Sequence, residues 1–164
     1  MSAAHETRWL DAQEQQIWAQ LTTMILRLQP VLSAQLQREF GISHYEYLIM
    51  ARLSEAPGAM LRMSVLATMS SSSLPRLSQA VGRLEKRGWI SRQPDAEDSR
   101  YTVAVLTPAG LRRLQEVAPA HVDAVREFVF DRLTRPQARQ LGAISQQILD
   151  GLPPDDSWPS TTPS

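Results

Sequence analysis

Arg76, Gln79, Arg83 and Lys86 stand three and four residues apart, and Ser72 continues the series upstream. On a helix that spacing gathers side chains on one face. The guanidinium fork of Arg matches the O6 and N7 atoms of guanine, and Gln meets adenine in the same bidentate way. Hydroxyls and Lys reach phosphate oxygens. A face reading hydroxyl, Arg, Gln, Arg, Lys therefore suits the major groove of a duplex. Ser71, Ser72 and Ser73 sit just before it, where a helix N-terminus favours an anion, and Arg87 extends its cationic end. A second polar group follows in Pro94-Asp-Ala-Glu-Asp-Ser-Arg-Tyr101, where Asp98 and Arg100 lie in a stretch too charged for a core. The plainer alternative for both groups is a solvated helix face and a charged loop tip, neither of which adds much to a fold.

The surrounding residues predict the elements that would hold these groups. Leu74, Leu77, Val81 and Leu84 fall at steps of three and four and predict one buried stripe. Gly88 follows, suited to ending that helix in a left-handed conformation. Trp89 to Gln93 and Thr102 to Leu106 have strand composition, with Ile90, Val103 and Val105 alternating against polar neighbours. A shorter helix opening near Ser64 comes first, and Pro75 is tolerated in the first turn of the second. Helix, helix and two-stranded hairpin make a winged helix-turn-helix.

Three pieces of this stretch also carry a resemblance. They are Leu84-Glu-Lys-Arg-Gly88, then Asp95…Asp98-Ser99-Arg100, then Leu106-Thr-Pro-Ala-Gly110. In register over about thirty residues they resemble the signature of the MarR family of bacterial transcription regulators. The upstream SEAPGAMLRMSVLA is similar to the same family's approach to its helix-turn-helix, and the likeness runs from roughly Trp9 to Gly151. The resemblance implies a homodimeric repressor on a palindromic operator, with Arg100 entering the minor groove and Asp98 holding a neighbouring Arg. It further implies a small aromatic or phenolic, anionic effector lodged between the DNA module and the dimer helices. Trp9, Trp18, His44, Tyr47 and Arg62 are the aromatic and basic candidates for that place, although Trp18 and Tyr47 serve equally well as interface core. The competing function is a winged-helix module for protein interaction or dimerisation without specific DNA binding. A cationic stripe beside an Asp98–Arg100 wing is the feature such a module does not need.

Other chemistry finds little support. His5, His44 and His121 are far apart and no carboxylate forms a ligand pattern with them, so no metal is expected. There is no phosphate-binding glycine loop, nucleophile elbow or catalytic carboxylate pair, so neither a cofactor nor enzyme activity is expected. The chain has no cysteine, which excludes disulfides and removes the peroxide-sensing thiol used by some proteins of the resembled family.

At 164 residues and 43% hydrophobic composition the chain can build one domain with a core. No apolar run approaches a membrane span and no signal-peptide layout opens it, so a cytoplasmic location is expected. Net charge is zero, but residues 76–113 hold eight Lys/Arg against four Asp/Glu, leaving the remainder at −4. Charge concentrated on one module is what phosphate binding needs.

The rest of the chain reads as helix. A first helix over 9–40 carries Leu10, Ile17, Leu21, Met24, Ile25, Leu28, Leu32 and Leu36, with Pro30 predicting a bend and Gly41 an end. Ser43-His-Tyr-Glu46 reads as a capping box, and Pro57-Gly58 closes the helix it opens. Thr107-Pro108 opens a long helix carrying Leu111 to Leu133, bent at Pro119, and Thr134-Arg-Pro-Gln137 opens the last, with Leu141, Ile144, Ile148 and Leu149. The expected fold is mainly α with a small β-hairpin (α+β), one domain over 1–151. Its DNA-binding module spans about 42–106, flanked by dimerisation helices at 9–40 and 107–151. Residues 1–8 are expected to be frayed and the Pro- and Ser-rich 152–164 a disordered tail. Apolar stripes at both ends need a symmetric partner, and a dimer sets two recognition helices about 34–36 Å apart, the spacing of an inverted repeat.

Overall fold

The computed structural model describes residues 7–152, so the expectations for the frayed start and the tail fall almost wholly outside the described residues. Helix α1 (Ala12–Phe40) opens on a capping box formed by Asp11 and Glu14, which sequence reading overlooked, and closes on Gly41 at φ +68°. It continues through Pro30 without interruption. Helix α2 (His44–Glu55) is opened by the Ser43–Glu46 capping box, as predicted. Gly58 then turns the chain at φ +64° into strand β1 (Met60–Arg62).

Next come α3 (Met63–Met69), α4 (Leu74–Lys86), β2 (Ile90–Pro94), β3 (Thr102–Leu106), α5 (Pro108–Phe128) and α6 (Arg135–Asp150). The expected hairpin is thus two strands of a three-stranded antiparallel sheet ordered β1-β3-β2. Strand β1 escaped notice because three residues, Met-Leu-Arg, are too few to show an alternation. The long helix also stops sooner than its apolar pattern implied. Val129 leaves the helical region at φ −124°, and Phe130–Arg132 form a single 3-10 turn before the Thr134–Gln137 capping box of α6.

The core lies where α2, α3 and α4 meet the sheet and the facing turns of α1 and α5. Ile49, Met50, Leu53, Leu66, Leu77, Ala80, Val81 and Leu84 are fully buried there, with Leu36 from α1 and Val117 from α5. At about 1.5–3 kcal/mol per fully buried large aliphatic side chain, this cluster is the main stabilising term. Leu74 corrects the predicted stripe: it is 49% exposed, and Ala80 takes the fourth buried position of α4 instead.

The ends of the chain pack differently. Ile17, Trp18, Met24, Ile25 and Leu26 on α1 are exposed, and no residue of α6 is buried. None of the described helices is long and apolar enough to cross a membrane.

Candidate nucleic-acid interface

Helix α4 is held by its buried face, and its opposite face carries Arg76, Gln79, Arg83 and Lys86, all exposed. Ser73 takes the N-cap position without using its side chain, so its hydroxyl is left for other partners. Ser71 adopts a left-handed backbone at φ +45°, the bend between α3 and α4, and is exposed. Ser72, by contrast, is buried, with its hydroxyl 3.3 Å from the Ser73 carbonyl, and so does not lie on the exposed face.

Two of the cations are already engaged. Arg83 Nε bonds Glu46 Oε1 at 2.7 Å, and the Glu46 side chain is only 5% exposed. Burial pushes the Glu46 carboxyl up, but the Ser43 N–H and the Arg83 guanidinium outweigh it and hold it below its usual range. Arg83 is thus anchored to α2 through its inner nitrogen while its side chain stays exposed. Arg76 rests 4.9 Å from the Tyr45 ring centroid, a cation–π placement that leaves its charge unneutralised.

Arg87, expected at a phosphate, already has partners within the fold. Its Nη1 donates to the Gly41 carbonyl at 2.9 Å and its guanidinium lies 5.1 Å from the Trp89 ring. Arg113 meets the same ring at 5.5 Å and donates to the Phe40 carbonyl at 2.7 Å. Two arginines around one indole, Arg87 at the end of α4 and Arg113 on α5, therefore bond the Gly41 and Phe40 carbonyls at the end of α1 and tie it to both helices.

The joint between α4 and the wing explains most of the Leu84–Gly88 signature. Gly88 sits at φ +73°; Trp89 N–H reaches the Leu84 carbonyl at 3.0 Å and Gly88 N–H the Glu85 carbonyl at 2.9 Å. Glu85 accepts from Arg92 at 2.7 Å, pinning β2 to the helix. Across the joint, Thr107 caps α5 and donates to the Gly88 carbonyl at 2.7 Å. Gly110 permits the close approach: a Cβ there would lie 2.1 Å from the Trp89 carbonyl oxygen.

At the wing tip Asp98 grips Arg100. Its oxygens lie 2.9 and 3.1 Å from Nε and 2.6 Å from Nη2, and Asp98 also accepts the Arg100 N–H at 3.1 Å. The guanidinium beside it holds the Asp98 carboxyl below its usual range. Arg100 is still 84% exposed along its side chain, so the pair orients the arginine without burying it.

The five residues proposed for an effector do not come together. His44 and Tyr47 are buried and meet His121 of α5, at ring-centroid distances of 5.1 and 4.3 Å. Trp9 and Trp18 are 83% and 58% exposed on the N-terminal arm. Arg62 belongs to the wing, where it pairs with Asp95 and stacks on Tyr101 at 4.7 Å. Of the five, only His44 borders a cleft of about 430 Å³ between α1 and α4, lined also by Gln29, Ser33, Tyr45, Arg76, Gln79 and Arg83. His121 was passed over because nothing local marks it as a neighbour of His44, 77 positions away. Among the described residues no cluster of three His, Asp or Glu side chains can hold a metal ion.

Comparison with known proteins places this geometry. Residues 42–102 match the model of the MarR family. Sco3205, a MarR family transcriptional regulator of Streptomyces coelicolor solved in complex with DNA, is 42% identical. The match covers 94% of this chain and 99% of that one at a TM-score of 0.88. AbsC, a second MarR family regulator of that organism, is 35% identical over 88% of this chain and 97% of its own, at a TM-score of 0.82. The transcriptional repressor MprA of Escherichia coli (strain K12) is 27% identical over 112 residues; the match spans 68% of this chain but only 63% of that repressor. With a likeness of this degree over nearly its full length, the chain belongs to the MarR family of transcriptional regulators.

Proposed function

We propose that this protein is a homodimeric repressor that binds an inverted repeat in duplex DNA and is released by a small aromatic or phenolic anion. One observation carries the DNA-binding part. Helix α4 is anchored by four buried side chains while Arg76, Gln79, Arg83 and Lys86 face outward, beside a wing that presents Arg100. In this reading Arg76 and Gln79 meet base edges, Ser71, Ser73 and Lys86 meet phosphates, and Arg100 enters the minor groove. The DNA complex of Sco3205 and the repressor activity in the name of MprA support the same direction.

Dimerisation is supported by the unburied α6 and the exposed Ile144, Ile148 and Leu149, together with Ile17 and Trp18 on α1. Such apolar faces lower their free energy by meeting a copy of themselves. Residues 9–40 and 107–151 then serve as dimerisation helices around the DNA module at 42–106, within one domain over 1–151. For the effector, the cleft beside His44 offers the Tyr45 ring, amides and two arginines. Its walls include Arg76, Gln79 and Arg83, so an anion held there competes directly with DNA.

Selection of random duplexes on the purified protein tests the reading. It predicts enrichment of a two-fold repeat with half-sites one helical turn apart; recovery of no preferred sequence rejects it. Phenolic and aromatic carboxylates are then added to the bound complex. Release that vanishes in His44→Ala assigns the effector to this cleft, whereas release unchanged in that variant moves it elsewhere.

A further inference from the structure

Arg62 ends β1, opposite Val103 in the sheet register, and it holds both ends of the loop that forms the wing. Its Nε bonds Asp95, where the chain leaves β2, and its guanidinium lies over the ring of Tyr101, where the chain returns to β3. A weaker contact places Nη2 3.8 Å from Glu97. Asp95 is the hub: its side chain is 11% exposed, its Oδ1 accepts the Glu97 N–H at 2.8 Å and its own N–H meets the Tyr101 carbonyl at 2.9 Å. The hydrogen bond from Arg62 is the main reason its carboxyl is held below its ordinary range.

Within the loop closed this way, the Tyr101 N–H donates to the Asp98 carbonyl at 3.0 Å, and Asp98 in turn grips Arg100. The contacts run in one direction, from β1 through Arg62 to Asp95 and Tyr101, then through Asp98 to Arg100. The charge of Arg62 is matched by Asp95 and Glu97, which makes it a poor free cation for a phosphate. Between Ala96 and Arg100 only Asp98 is even half-buried, so packing does little to hold the loop. Ordering a loose loop on binding would subtract from affinity.

We propose that Arg62 is the positioning residue of the wing. Its clamp on Asp95 and Tyr101 aims Arg100 and so sets affinity and minor-groove preference, without Arg62 itself touching DNA. This rests on the DNA-binding reading above.

The test is a double-mutant cycle on a duplex selected by the wild-type protein, using Arg62→Ala, Arg100→Ala and the pair. Each duplex is also made with the base pairs under the wing changed from A·T to G·C, the distinction available in the minor groove. Arg62→Ala should weaken binding about tenfold in the wild-type background and less than about twofold when Arg100 is already alanine. It should flatten the A·T preference as Arg100→Ala does. Thermal unfolding followed in parallel guards against global loss; Asp95→Asn cuts the clamp from its other side and should give the same pattern should Arg62→Ala fold poorly. Losses that add fully in the double variant would make Arg62 an independent DNA contact and overturn the proposal. Unchanged affinity or an unchanged A·T preference in both clamp variants would overturn it too. A wild-type protein that selects no duplex at all would instead reject the DNA-binding reading on which the proposal stands.

Discussion

Lowering the pH from about 7.5 to about 5.5 should destabilise this protein through His44. His44 is 6% exposed; its Nδ1 lies 2.7 Å from Gln29 Oε1 and its ring 5.1 Å from that of His121. Burial first, and the neighbouring His121 second, lower its pKa from the ordinary 6.5 to about 4. Burial lowers that of His121 as well, and its Nδ1 is buried without a partner. A histidine with a depressed folded-state pKa favours the neutral form, so its stabilisation is full above about 6.5 and is lost as pH falls toward about 4. For His44 alone, the unfolded chain takes up a proton between pH 7.5 and 5.5 while the folded chain hardly does, a loss on the order of 1 kcal/mol. The lowered Asp and Glu groups remain ionised throughout that window, so histidine dominates the change. Urea unfolding at both pH values and one fixed protein concentration measures it. His44→Gln should remove on the order of 1 kcal/mol of the pH dependence, leaving the part due to His121. An equal fall in wild type and variant would refute the argument, because the burial of His44 would then carry no proton linkage.

Three further outcomes follow from the packing. Gly110→Ala drives a methyl group into the Trp89 carbonyl and should cost at least about 2 kcal/mol in denaturant unfolding, so an unaltered midpoint would mean that the α5–wing joint yields freely. Glu46→Gln keeps the shape of the α2 cap but removes the charge that anchors Arg83; a loss of about 1–3 kcal/mol is expected, and no loss would show the pair to be dispensable. Deletion from Thr134 removes α6 and should leave a monomer in ultracentrifugation where the full chain sediments as a dimer, whereas a truncated chain that is still dimeric would put the interface elsewhere.

Signals confined to a few residues are legible in the sequence alone. Ser43 with Glu46, Thr134 with Gln137, Thr107 and Gly88 each declared a helix end through a cap that spans one turn, and all four form as expected. What stayed hidden depends on partners distant in sequence. Arg83 finds Glu46 at a separation of 37 residues, Arg87 finds Gly41 at 46, and Arg62 finds Asp95 at 33. A reading of residue types could assign these arginines only by charge, which suggested phosphates for Arg87 and an effector for Arg62. The fold engages Arg87 with the end of α1 and Arg62 with the wing loop, contacts that charge alone does not announce. Leu74 was misplaced for a related reason: period alone cannot tell which edge of an apolar stripe turns outward.

Base reading by α4 is put to the test by the affinity of the wild-type protein and of Gln79→Ala for a selected duplex and all its single-base-pair variants. The wild type should penalise a change at one position of each half-site by about 1–3 kcal/mol, and Gln79→Ala should lose that penalty there while keeping it elsewhere. A variant that binds every duplex more weakly by the same factor, with the wild-type order of preference intact, would contradict it.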